Sequence, residues 1–495
     1  MLNIGNSVAL MALLSWPLVI ILMFRLMTLE RALIWSILGG YMLLPQISEI
    51  NLPGIPAFNK TSIPNLTVLV VIIVMLGRMP QLLPRTWPGR LLIVALVLSP
   101  AFTVLNNLEP IRFGIQRLGS FTVFDRALAE QALLPGLRPY DALTEVANQI
   151  IFLLPLFLAR RFLRSEEAIR ELLRALVIGA MIYALPMLFE IRFSPQLHTW
   201  IYGFFQHQFG QTIRFGGFRP IVFMPHGLWL ALFILKALLA AVALTQMAKP
   251  DIKGRMVALC LFLAIILILC RSVGPVFFAL ALLPLLLFTP PRMHVFTGMS
   301  AATLVMAYPL LRGGGLIPTD AIVARVAAFD EDRAQSLGFR FMNEDAVLNH
   351  VADKPLLGWG GWGRFVPHDP LSGRSETIVD GMWIITIGHY GWVGYIALFG
   401  LLTLPLFSLW WQSRRSMAPA VPFAVSALAL IYTANLLDML PNATLVPLTV
   451  LIGGALLGHA ELIRERINET LLARRGAARP ARMLGKASQG RRSVL

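Results

Sequence analysis

The sequence predicts an all-α polytopic membrane protein, and three observations carry that prediction. Of 495 residues, 57% are hydrophobic and only 14% are charged. Apolar runs near the length that crosses a bilayer, about 20 residues, recur from one end of the chain to the other. Lysine and arginine gather in every second connection between those runs, as the positive-inside rule requires. The runs are continuous rather than alternating, which argues against a β-barrel.

Taken in order, the spans fall at roughly 5–24, 32–48, 63–77, 90–105, 144–159, 172–191, 224–245, 256–270, 274–289, 295–311, 382–409, 419–437 and 443–458. This gives about 12–13 transmembrane helices. The first run lacks a basic leader and a small-residue cleavage site, so it reads as a retained span. One set of connections carries Arg25 and Arg31; Arg78, Arg85 and Arg90; Arg160, Arg161, Arg164 and Arg170; Lys249, Lys253 and Arg255; Arg292; Arg414 and Arg415; and the tail. That set is expected to face the cytoplasm. Residues 1–458 then form one membrane domain. Residues 459–495 form a basic cytoplasmic tail, expected to be disordered and to touch anionic lipid.

The formal charge of +16 arises from 42 basic against 26 acidic residues. It does not imply nucleic acid, because the basic residues sit at span ends and in the tail. Cys260 and Cys270 lie ten residues apart in one span and read as small core hydrophobes. No Cys/His spacing suggests a metal, and no cofactor is expected.

The opposite face holds the longer connections: 106–142, 192–222, a tight turn at Arg271, and a long structured loop, 312–378. Gly274 and Pro275 are expected to help the chain turn behind Arg271. Within the long loop, AIVARVAAFDEDRAQ and FMNEDAVLNHVAD read as short amphipathic helices. In the second, Phe341, Met342, Ala346, Val347 and Val351 are expected to share one face. Nucleotides are absent outside the cytoplasm, so an activated substrate on this face must arrive anchored in the membrane.

Arg214, Arg219, Arg271 and Arg340 all fall on this outward face, where the positive-inside rule disfavours arginine. Each has a bland reading as a snorkelling or ion-paired side chain. Together they suit a diphosphate, because the guanidinium fork holds phosphate oxygens in pairs. The acid/base candidates are Asp380, at the start of a span, and His226, His368 and His389. Their bland readings are a helix cap for Asp380 and hydrogen-bonded packing for the histidines. Glu190 and Arg192 are expected to pair with each other.

On these residues the chain resembles the O-antigen ligase and polysaccharide polymerase family of bacterial inner membranes, over about residues 40–455. The most specific stretch is GFRFMNEDAVLNHVADKPLLGWGGWGRF, where Arg340, Asp353, Pro355, Leu356, Gly358 and Gly360 match the family pattern. Arg271 matches the arginine at a span junction, and Arg219, then Arg214, match the arginine of an outer loop. Gly391 and Gly394 match the start of a late span. The resemblance implies a metal-independent inverting glycosyltransferase in the inner membrane. Its active face would be periplasmic and its donor an undecaprenyl-diphosphate-linked glycan. A polymerase would pass that glycan to another carrier-linked repeat, and a ligase to lipid A–core. The family's ligases carry a histidine eleven residues before the late glycine, where this chain has Asp380. That departure favours a polymerase. A lipid-linked oligosaccharide flippase is the reading from another class.

Overall fold

The computed structural model describes residues 2–3, 5–52, 56–113, 115–118, 121–124, 133–370, 373–375 and 377–477. Among them the chain forms sixteen α-helices. The first eight are α1 (Ser7–Leu26), α2 (Leu29–Leu43), α3 (Ser62–Leu76), α4 (Trp87–Leu105), α5 (Pro139–Phe162), α6 (Glu166–Phe193), α7 (Leu197–Tyr202) and α8 (Gly227–Gln246). The rest are α9 (Pro250–Leu269), α10 (Val273–Phe288), α11 (Pro291–Gly313), α12 (Thr319–Ala327), α13 (Glu331–Val351), α14 (Met382–Ser413), α15 (Phe423–Asp438) and α16 (Pro447–Ala477).

Each apolar run read from the sequence coincides with a helix. Among the described residues eight helices, α1, α4, α5, α6, α8, α9, α11 and α14, are long and apolar enough to cross a membrane. Helices α3, α10 and α15 are apolar but shorter. The architecture is that of an all-α polytopic membrane protein.

Helices α8 and α15 form the centre of the bundle and are buried along almost their whole length. Alanines at 237, 240, 241 and 243 let neighbours approach α8 closely. Gly454 and Gly458, four residues apart, seat α16 on α5. A Cβ at either would collide with backbone at Leu156 or Arg160.

One end of the bundle is basic. There Arg31 pairs with Glu171 at 2.8 Å, Arg85 with Glu465 at 2.7 Å and Arg164 with Glu465 at 2.9 Å. Arg160 and Glu461 form a buried pair. These pairs gather four of the basic connections at one end. They also correct the expectation for the tail. Helix α16 continues unbroken to Ala477, because Glu461 and Glu465 tie its polar half to the connection before α4 and to the end of α5. Residues 478–495 lie outside the described residues.

The opposite end carries the long connections. The two expected loop helices are present as α12 and α13, with Asp330 capping α13 by accepting from the Arg333 amide at 3.1 Å. The buried face of α13 differs from expectation. Met342 is exposed, and Ala334, Asn343, Glu344, Val347 and Val351 point inward. The cause is Arg312 at the end of α11. It lies beneath α13, and its charge draws Glu344 and Asp345 towards it.

The glycine-rich turn after α13 docks by backbone. Trp359 and Gly360 donate to the carbonyls of Gly388 and His389, both at 2.9 Å, and Trp392 donates to Pro355 at 2.8 Å. The dock needs a break in α14 at Gly391, with φ 63° and ψ −165°, a conformation open essentially only to glycine.

Candidate functional site

Arg271 sits between α9 and α10 in a turn of three residues, 270–272. The turn is not made by Gly274 and Pro275, which already lie in the first turn of α10, where proline is tolerated. It is made by Arg271 itself, in the left-handed region at φ 51°. Its Nη1 donates to the Arg214 carbonyl at 2.8 Å and also to that of Phe215. The guanidinium covers Gly217, where any side chain would displace it. Residues 213–218 form a small hairpin that Arg271 grips with one nitrogen. Among the described residues its other two nitrogens have no partner.

Arg219 follows the hairpin and is only 4% exposed. Its Nη2 donates to Ser272 Oγ at 2.6 Å, so two adjacent turn residues, Arg271 and Ser272, bind the two ends of one loop segment. Arg219 Nε is buried without a partner, which costs about 1–3 kcal/mol unless a ligand satisfies it. Burial, reinforced by the nearby charge of Arg214, lowers its pKa to about 10. Among the described residues no carboxylate pairs with Arg214, Arg219 or Arg271. Among the described residues, three of the seven non-glycine positions with positive φ, Phe215, Val222 and Arg271, lie in these segments. Strain of this kind concentrates where a site must be held in one geometry.

The loop behind Arg219 is fixed from below. Glu190 does not pair with Arg192. It is buried, and its Oε2 accepts the amides of Ile221 and Val222, both at 2.8 Å, while Oε1 accepts that of Leu197 at 3.2 Å. Gln46 donates to the Phe223 carbonyl at 2.7 Å, and Gln206 to that of Val222 at 2.9 Å. Glu190 is therefore a positioning residue for the arginine loop. Its place seven residues before Leu197 hinted only at a local contact.

His226 caps α8, with Nδ1 accepting the Leu228 amide at 3.1 Å. Its ring lies 4.6 Å from that of His207. Burial first, then the charges of Arg219, His207 and Arg214, lower its pKa to about 3. With Nδ1 accepting from the Leu228 amide, the neutral ring carries its proton on Nε2.

Arg340 does not join the other three arginines. It pairs with Asp380 at 3.2 Å, and both are half-exposed. Asp380 does not cap α14, because Gly381 occupies the cap position and the carboxylate turns to Arg340. The long loop reaches the hairpin through Arg333, whose guanidinium lies 5.6 Å from the centre of the Phe215 ring. The arginine hairpin thus meets the first turn of α13, and the Arg340–Asp380 pair lies about two turns further along the same helix.

One turn beyond Arg340 on the same helix stands Glu344, which sequence reading missed. It is 8% exposed, with Arg312 Nε 3.4 Å from its Oε2. Burial outweighs the pull of Arg312 and raises its pKa to about 7. The signal was present in the sequence. Glu344 lies three and seven residues before Val347 and Val351, in the stripe that faces inward.

His368 and His389 lie elsewhere. His368 packs 5.4 Å from Phe113, and burial lowers its pKa. His389 lies within α14 with its ring 4.3 Å from Phe365, and its carbonyl accepts from Gly360. None of the described contacts joins either ring to the arginines. Among the described residues no three His, Cys, Asp or Glu side chains stand together as a metal site.

No family model matches the chain, and no curated protein matches it.

Proposed function

We propose that this chain is a metal-independent inverting glycosyltransferase that draws its glycan from an undecaprenyl-diphosphate carrier. In this reading it is a polysaccharide or O-antigen polymerase of the bacterial inner membrane, with 12–13 spans and the loop-bearing end in the periplasm. The observation that carries the reading is the arginine hairpin. Three cations without a carboxylate, one of them buried with an unpartnered nitrogen, suit a ligand bearing two phosphates.

Arg219 and Arg271 hold the diphosphate, and Arg214 closes over it from the exposed side. The acceptor hydroxyl oxygen attacks the anomeric carbon from the face opposite the diphosphate. The carbon–oxygen bond to phosphate breaks with inversion, and its electron pair leaves on the diphosphate, where the arginines stabilise it. Asp380, held by Arg340, orients the acceptor. The hydroxyl proton passes to Glu344, whose pKa near 7 suits a general base at neutral pH.

Glycan analysis of a strain carrying only Arg219→Lys tests the assignment. The lysine keeps the charge and loses the fork, so transfer falls about a hundred- to thousandfold. A polymerase then leaves single repeats, and a ligase would leave long chains on the carrier. Single units trapped on the cytoplasmic side would identify a flippase instead. Full-length polymer at parental level would refute the diphosphate assignment.

A further inference from the structure

At the basic end of the bundle a groove of about 740 Å³ opens between the start of α11 and the end of α14. It lies opposite the arginine hairpin, since α10 and α14 both start at the hairpin end and run to the groove. Its floor is aromatic, with Phe296 and Trp410 5.4 Å apart. Met293 and Val421 add apolar wall. Two arginines stand at its rim. The Arg414 guanidinium lies 5.0 Å from the centre of the Trp410 ring, and Arg292, in the first turn of α11, lines the same groove.

Many arginines at this end are already neutralised: Arg31, Arg85, Arg160, Arg164, Arg170 and Arg174 each have a carboxylate partner. Among the described residues Arg292 and Arg414 have none, and they share one groove. Two cations above an aromatic and aliphatic cleft match a ligand with an anionic head and a hydrocarbon body. The aromatic floor suits the head–tail boundary of a bilayer, where tryptophan concentrates. Basic pockets between helix ends bind anionic lipid headgroups by this chemistry. We infer that this groove is a specific site for an anionic phospholipid, the phosphodiester lying between Arg292 and Arg414 and an acyl chain along Phe296 and Met293. The site is independent of the substrate site at the other end.

The test titrates the full-length purified protein in detergent with phosphatidylglycerol and with phosphatidylcholine, reading bound lipid by native mass spectrometry. Phosphatidylglycerol binds in preference. Arg292→Gln and Arg414→Gln each weaken that binding about fivefold, and the double variant abolishes the preference. Both side chains are exposed, so melting temperature stays at the parent's value. Arg415→Gln is the control. Arg415 is next in the chain but donates to Gln412 at 3.2 Å and does not line the groove, so its removal leaves binding unchanged. Equal binding of the two lipids would overturn the site, as would a preference that survives the double variant. An equal loss in Arg415→Gln would reduce it to diffuse attraction by a basic surface.

Discussion

Two segments cover the loop-bearing end of the bundle, and they hold their arginines in opposite ways. In the glycine turn, Arg364 is almost wholly buried and donates to the carbonyls of Pro135 at 2.9 Å and Glu109 at 3.0 Å. Lys354 reaches Asn106 and Asn107, each at 2.8 Å, and Asn107 in turn donates to Gly358 at 3.0 Å. These cations staple the connection between α4 and α5 to the turn. In the hairpin, Arg219 donates only to a serine hydroxyl, and Arg271 uses one nitrogen of three. The first segment commits both terminal nitrogens of Arg364 to the protein's own carbonyls, although its Nε, like that of Arg219, is buried without a partner. The second leaves donors and charge uncommitted. Both segments bury an arginine without a carboxylate, so what marks the hairpin as the place for a ligand is that exposed Arg214 and half-buried Arg271, the latter with two nitrogens unpartnered among the described residues, gather beside buried Arg219.

The comparison is broken most directly at Gly391. An alanine there would need a glycine-only conformation, and its Cβ would collide with the backbone at Leu356. The expected loss is about 3 kcal/mol or more, enough to abolish folded protein. Yield and melting in detergent measure it, and parental stability would show that the backbone dock is not a scaffold.

The next effect separates the two arginines. Arg219→Gln removes an uncompensated buried charge, so melting stays level or rises while transfer falls about a hundred- to thousandfold. Arg364→Gln removes two tethers and costs about 1–3 kcal/mol of stability, with little change in rate for the protein that folds. If both variants lost stability alike, the distinction between ligand cations and structural cations would fail.

A pH dependence follows from Glu344. Its pKa is raised in the folded state from an ordinary 4.5 to about 7. Protonation therefore supports the fold, and that support is complete below about 4.5 and lost as pH rises through about 7. Activity runs the other way, rising through pH 7 as the carboxylate forms. Glu344→Gln flattens both curves. An unchanged activity profile in Glu344→Gln would return the proton-acceptor role to Asp380.

Much of the arrangement was legible in advance because hydropathy and charge are local properties. The apolar runs became helices, and four of the basic connections met at one end. The tight turn at Arg271 followed from two apolar runs with almost nothing between them. What was not legible were choices of partner. Glu190 stood two residues from Arg192 yet turned to the amides of Ile221 and Val222, because a buried loop must satisfy its own backbone. Asp380 stood next to a helix start yet paired across space with Arg340.

The sequence by itself determined the class of protein and the order of its apolar helices. These follow from transfer free energy and periodicity, which act residue by residue. Only the tertiary structure decided that Arg214, Arg219 and Arg271 meet at one hairpin while Arg340 stands apart. Only it buried Glu344 over Arg312, docked the glycine turn into the break at Gly391, and left Arg292 and Arg414 facing one groove. Those outcomes depend on contacts between residues far apart in the chain, and no local pattern encodes which of several partners a charge or an amide will find.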